Sequence, residues 1–192
     1  MINRIALVMA CLAAPLSAQP AVTSSPVQAP APQEDLVPVA IDTSVGRIVV
    51  ALDRGRASIT TANFLRYVDA HRLDGETFYR AMKMGDGGLI QGGVRSDVRK
   101  LFPKIIDEPS SKTGLKNVAG AISMAKNGPN DAQADFFILL SDTPYFDEGP
   151  DGFSAFGRVT EGMDVVDTLE GLPTDSRDRP RDDARIEKLT VE

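Results

Sequence analysis

One cysteine and one histidine in 192 residues restrict the chemistry open to this chain. Structural zinc sites, disulfide frameworks and Cys/His nucleophilic pairs each need several such groups converging in space, so none is expected and no metal is assigned. Gly85, Gly87, Gly88, Gly92 and Gly93 crowd one segment, yet the Lys-Ser or Lys-Thr of a phosphate-binding loop is missing and no convincing helix opens behind them. His71, near the end of an expected helix, reads as a helix-terminus contact rather than a base. The acid pairs Asp107 with Glu108 and Asp182 with Asp183 read as solvated loop charges rather than a hydrolytic dyad. A more specific constellation remains: Phe78, Tyr79 and Arg80, then residues 89–93, 123–125 and 136–138. Whatever chemistry the chain performs must draw on groups of this kind.

These residues have to be positioned by strands. Val39, Ile41 and Thr43, then Ile48, Val50 and Leu52, alternate on either side of a turn at residues 44–46, which is a hairpin signature. Thr60 or Thr61 can cap a helix in which Phe64, Leu65 and Val68 share one face, closed by Asp74 and Gly75. Further strands are predicted at 77–82, 89–92, 120–124, 136–141, 154–159 and 185–191, and Met163, Val166 and Leu169 recur at helical spacing before the last of them. Many short strands with only two helices point to a mainly β barrel or sandwich, with Gly-, Asn- and Asp-rich loops where binding groups are expected.

A hydrophobic fraction of 42% and a charged fraction of 25% are those of an ordinary globular domain. The net charge of -6 gives no basic face for nucleic acid. Residues 1–18 have the three-part pattern of a secretory signal peptide: a positive start, an apolar run too short to span a bilayer, then small residues. No membrane span is expected. Removing the segment also removes Cys11, which suits an oxidising compartment; Cys11 loosely fits a lipid-attachment site as well. Residues 19–36, with Pro20, Pro26, Pro30 and Pro32, are expected to be a Pro/Ala-rich disordered linker before a domain at 37–192. The expected location is periplasmic or secreted.

Five runs in order, "LDGETFYRAM", "LIQGG", "GLKNVAGAISMAKNGPN", "DFFILLSDTPYFD" and "FSAFGRVTEGMDVVD", resemble the cyclophilin family of peptidyl-prolyl cis/trans isomerases, of a bacterial, exported type. The resemblance covers residues 38–192. It implies a closed eight-stranded antiparallel β-barrel capped by two α-helices, with an outer groove that binds proline-containing segments of exported proteins. It also implies a monomer that needs no cofactor, with cyclosporin-like ligands as further occupants of the groove. Arg80 matches the catalytic arginine. Phe78, Leu89, Phe137 and Phe146 match the wall of the proline pocket, with ordinary core packing an equal reading for Phe78; Gln91 matches the group that bonds substrate backbone, and Ala125 and the backbone of Lys126 the peptide track. A catalytically weak module that only holds proline segments is the alternative.

Some groove positions depart from the family pattern. Asp135 stands where Gln is general, so it either pairs with Arg80 and weakens its pull or holds the guanidinium in place. Tyr145 stands for a common Trp, and Phe153 falls near a pocket His. In the segment 82–88, Gly88 takes the place of a pocket aromatic, leaving Met82 or Met84 to fill the space.

Overall fold

The computed structural model describes residues 33–85, 87–149 and 152–192. The expected signal peptide, Cys11 and residues 19–32 of the expected linker lie outside the described residues. Eight antiparallel strands run β1 Leu36–Thr43, β2 Gly46–Asp53, β3 Thr77–Met84, β4 Gly87–Gly93, β5 Ala121–Met124, β6 Phe136–Leu139, β7 Ser154–Glu161 and β8 Ile186–Val191. They form one sheet in the order β3-β4-β6-β5-β7-β2-β1-β8. Three α-helices are described, α1 Ser58–Asp69, α2 Ser110–Thr113 and α3 Met163–Glu170. The expectation of two omits α2, whose four residues are too short to show a period. No described helix is long and apolar enough to cross a membrane.

The sheet is a curled half-barrel, which corrects the expectation of a closed one. Its edge strands β3 and β8 meet through an isolated bridge, Thr77 to Arg185, and the bonds Phe78 N to Ala184 O and Ile186 N to Glu76 O, both 2.8 Å. Beyond that point the loop after α3 takes the place a closing strand would occupy: Ala81 N donates to Asp178 O at 2.8 Å. The expected linker is corrected at its end, because β1 already begins at Leu36. Asp35 there pairs with Arg54 at 2.8 Å, and Glu34 with Arg56 at 3.0 Å and Arg158 at 2.9 Å.

Strand alternation sends Ile41, Val50, Ile90, Phe136, Ile138 and Phe156 to the main core. There α1 contributes Phe64, Tyr67 and Val68 from one face, and Phe64 meets Phe136 edge-on at 5.2 Å. The Thr60 or Thr61 cap is not formed: α1 starts at Ser58, and both threonines lie inside the helix. Its free amides are instead met by Glu108, whose carboxylate accepts from Ile59 N (3.2 Å), Thr60 N (2.7 Å) and Thr60 Oγ1 (2.7 Å). A carboxylate suits the positive end of a helix. Glu108 and Asp107 are therefore buried structural groups, not solvated loop charges.

Candidate active site

The opposite face of the same strands carries a second apolar cluster. Leu89, Ala121, Phe137 and Leu139 are buried in it, with Met82, Met84, Ala125, Phe146 and Phe153 packed alongside. Register places its polar members. Arg80 pairs with Gln91, Gln91 with Phe137, and Phe137 with Ser123, so guanidinium, amide and aromatic ring stand in one row. From Arg80 to Phe137 is two strand spacings, about 10 Å, a distance that one prolyl residue and its flanking peptides can bridge. In the next row Met82 faces Leu89 and Leu89 faces Leu139.

A register shift in β3 between Phe78 and Arg80 makes this arrangement possible. The extra residue, Tyr79, lets two consecutive side chains reach the outer face, which unbroken alternation forbids. Phe78 stays on the inner face, fully buried against Phe136 at 5.8 Å, so its assignment to the pocket wall is corrected to core packing. Gly88 also lies off the groove. A Cβ there would run into the Met82 carbonyl and the Glu170 carboxylate, so no aromatic is missing from that position, and Leu89, Met82 and Met84 line the groove instead.

Phe137, Phe146 and Phe153 form a triangle with ring centroids 4.8–5.6 Å apart, and Tyr145 stacks edge-on against Phe146 at 4.8 Å. Such pairs each add about 0.5–1.5 kcal/mol beyond burial. Tyr145 is 56% exposed and forms the outer lip, its hydroxyl 3.4 Å from Met84 Sδ. A polar network anchors this wall from behind. Asp147 accepts from Ser110 Oγ (2.5 Å), Asn117 N (3.0 Å) and Asn117 Nδ2 (2.7 Å), while Asn117 also bonds Phe153 O (3.3 Å) and Ser123 Oγ (2.6 Å). Burial pushes the Asp147 carboxyl up, but these bonds and Lys116 outweigh it and hold the group below the ordinary range.

Arg80 rests against the groove through Met82, with Nη2 2.8 Å from Sδ. Its other contact is Asp178, at 3.4 Å from Nε and 3.3 Å from Nη2. The side chains are 39% and 40% exposed, so the pair is solvent-screened and leaves the guanidinium accessible. Neither expectation for Asp135 survives, since its partners are the Tyr79 hydroxyl (2.8 Å) and Arg95 (3.8 Å), not Arg80. Gln91 Nε2 donates to the Tyr79 hydroxyl at 2.5 Å.

Beside the row opens a polar cavity of about 320 Å³, lined among others by Tyr79, Gln91, Arg95, Ala125, Lys126 and Asp135. The Lys126 ammonium turns inward to Asp107 at 2.7 Å, and the two side chains are 5% and 7% exposed. Among the described residues no group of three or more His, Cys, Asp or Glu side chains is placed to hold a metal ion. Sequence reasoning missed Asp178, 98 positions from Arg80, and gave Tyr79 no role. The only signal for Tyr79 was its place between Phe78 and Arg80.

A sheet whose outer face presents an apolar trough beside a guanidinium and an amide has the groups to seat an apolar residue and bond the backbone on either side of it. Residues 38–191 match the family described as cyclophilin type peptidyl-prolyl cis-trans isomerase. A peptidyl-prolyl cis-trans isomerase of Streptomyces antibioticus is 34% identical over 160 residues, covering 80% of this chain and 95% of the relative. Peptidyl-prolyl cis-trans isomerase A of Dickeya dadantii is 33% identical over 142 residues, covering 72% and 73%. The crystal structure of a cyclophilin type isomerase from Cryptosporidium parvum superposes with a TM-score of 0.71 at 25% identity, covering 82% of this chain and 98% of that one. A second structure of it, determined in the presence of the dipeptide Ala-Pro, gives 0.69 at 25% identity, covering 81% and 98%. The chain belongs to the cyclophilin-type peptidyl-prolyl cis-trans isomerase family, whose curated relatives are named for that activity.

Proposed function

We propose that this isomerase acts on proline-containing segments of exported proteins, with Arg80 as its catalytic residue. The observation that carries the catalytic reading is the row of Arg80, Gln91 and Phe137 beside the aromatic triangle. Rotation about an X-Pro bond meets a barrier of about 18–20 kcal/mol because the nitrogen lone pair is conjugated with the carbonyl. In the twisted state that conjugation is lost and the nitrogen becomes a hydrogen-bond acceptor. A guanidinium aimed at it binds the transition state better than either planar isomer. Phe137, Phe146 and Phe153 hold the prolyl ring, with Leu89 and Met82 closing the trough. Gln91 holds the substrate backbone while the preceding carbonyl swings, and Ala125 and the backbone of Lys126 border the path of the chain.

The pattern of residues 1–18 supports export to a periplasmic or external location. The protein works as a monomer, and cyclosporin-like ligands compete for the same trough. The test of catalysis is NMR exchange spectroscopy on a panel of short X-Pro peptides. Accelerated cis/trans exchange supports the isomerase, whereas peptide shift changes without acceleration mean a binding module. Cell fractionation tests the location, and retention of the intact chain in the cytoplasm would overturn export.

A further inference from the structure

We propose that Tyr79 and Asp135 are positioning residues that set which end of the Gln91 amide faces the substrate, so that protonation of Asp135 reverses what the groove offers the peptide backbone. The proposal rests on the reading of Gln91 as the backbone-holding group.

The polarity of the chain follows from counting protons. An ionised carboxylate only accepts, and a phenol has one proton to give. The Tyr79 hydroxyl, 2.8 Å from Asp135 Oδ2, must therefore spend its proton there. What it has left for Gln91 is a lone pair, so Gln91 must turn its NH2 toward Tyr79, consistent with the 2.5 Å contact from Nε2. The carbonyl Oε1 then faces away as an acceptor for a substrate N–H. Once Asp135 is protonated it can donate to the tyrosine oxygen. Tyr79 then gives its proton to Gln91, the amide turns over, and the NH2 becomes a donor for a substrate carbonyl.

The surroundings make Asp135 the member that titrates. Burial pushes its carboxyl up, opposed by the Tyr79 bond and Arg95, and the charge of Glu76 pushes it further. Burial and the neighbouring Asp135 charge hold the Tyr79 hydroxyl well above its ordinary value, so it stays protonated throughout. Arg95 lies 3.8 Å from Asp135 with its guanidinium 3.9 Å from the centre of the Tyr79 ring. Glu76 is tied to Lys100 at 2.8 Å, and Tyr67 of α1 also feels the Asp135 charge. Across the cavity Lys104 is paired with Asp131 and Lys126 with Asp107, so neither cation is free to take the carboxylate. Gly93, at φ +152°, leaves the room Asp135 needs, since a Cβ there would run into that side chain.

The experiment follows kcat/KM for one X-Pro peptide from about pH 4 to pH 8, in the full chain and in the Tyr79→Phe and Asp135→Asn variants, with the Asp135 carboxyl carbon and the Gln91 side-chain amide observed by NMR in the free protein. The full chain should show an inflection of roughly five- to tenfold, the worth of one net hydrogen bond, at the pH where the Asp135 carboxyl titrates. The Gln91 amide resonance should move at the same pH. In Tyr79→Phe the Asp135 carboxyl should still titrate while kcat/KM and the Gln91 resonance no longer follow it, and in Asp135→Asn both should be flat. An inflection that survives in Tyr79→Phe, or a Gln91 resonance indifferent to Asp135 in the full chain, would overturn the relay. Because the Gln91 resonance is read without turnover, a chain that proved inactive would refute the isomerase reading and still decide this one.

Discussion

Replacing Arg80 by Ala separates catalysis from folding because of how the side chain is held. Its ion pair with Asp178 joins groups 39% and 40% exposed, and pairs of that kind contribute about 0–1 kcal/mol. Deleting it should lower Tm by no more than a few degrees, given roughly 2–4 °C per kcal/mol for a domain of this size. The loss in rate should be far larger. A single preorganised donor aimed at developing charge is worth about 10²- to 10³-fold, or roughly 2.7–4 kcal/mol. Set against a barrier of about 18–20 kcal/mol, that is the share Arg80 supplies beyond the trough. The assay is two-dimensional exchange NMR over a range of peptide concentrations, paired with thermal unfolding by circular dichroism. Arg80→Lys, which keeps the charge but loses the planar fork, should fall in between. A loss in kcat/KM below about threefold, against the hundredfold expected of such a donor, would refute the reasoning, as would unfolding that tracks the activity.

Asp178→Ala should lower kcat about two- to fivefold with KM little changed, because an exposed pair worth about 0.5–1 kcal/mol orients the guanidinium. A rise in activity would show instead that Asp178 competes with substrate. Asp147→Asn should raise KM by loosening the wall that carries Phe146 and Phe153. Since the folded Asp147 carboxyl lies below its unfolded value of 3.8, its stabilisation is full above that pH and is lost as pH falls through the folded value. The unfolding free energies of the wild type and Asp147→Asn should therefore differ at pH 7, and the difference should shrink as pH falls below 3.8 and through the folded value. Glu108→Ala strips the cap from α1 and leaves buried donors unmet at a cost of about 1–3 kcal/mol, which should lower Tm without altering the peptide preference of the groove.

Alternation made the strands legible: every segment predicted from period two lies within or overlaps one of β1 to β8. What alternation cannot say is which face is which. Phe136 and Phe137 are adjacent and identical in type, yet one joins Phe64 in the core and the other floors the groove, a distinction set by what covers each side of β6. The extra residue in β3 breaks the period where the site is built, so the sequence pattern leaves Phe78 divided between pocket and core and gives Tyr79 no role. Asp107 and Glu108 looked solvated because buried acids are recognised by their partners, and Lys126 and Thr60 lie 19 and 48 positions away. Closure of the barrel failed for a similar reason. The loop that runs along β3 in place of a closing strand is visible only once Asp178 is seen against Ala81.

The account places the prolyl ring of the substrate on the Phe137, Phe146 and Phe153 triangle, within reach of Arg80. Intermolecular nuclear Overhauser effects between a short X-Pro peptide and the protein test this most directly. Contacts from the prolyl ring protons to Phe137, Phe153 and Met82, with protons of the residue before proline near Gln91, are the predicted result. A prolyl ring found instead in the polar cavity beside Asp135 and Arg95, or contacts that avoid Phe137 altogether, would contradict it.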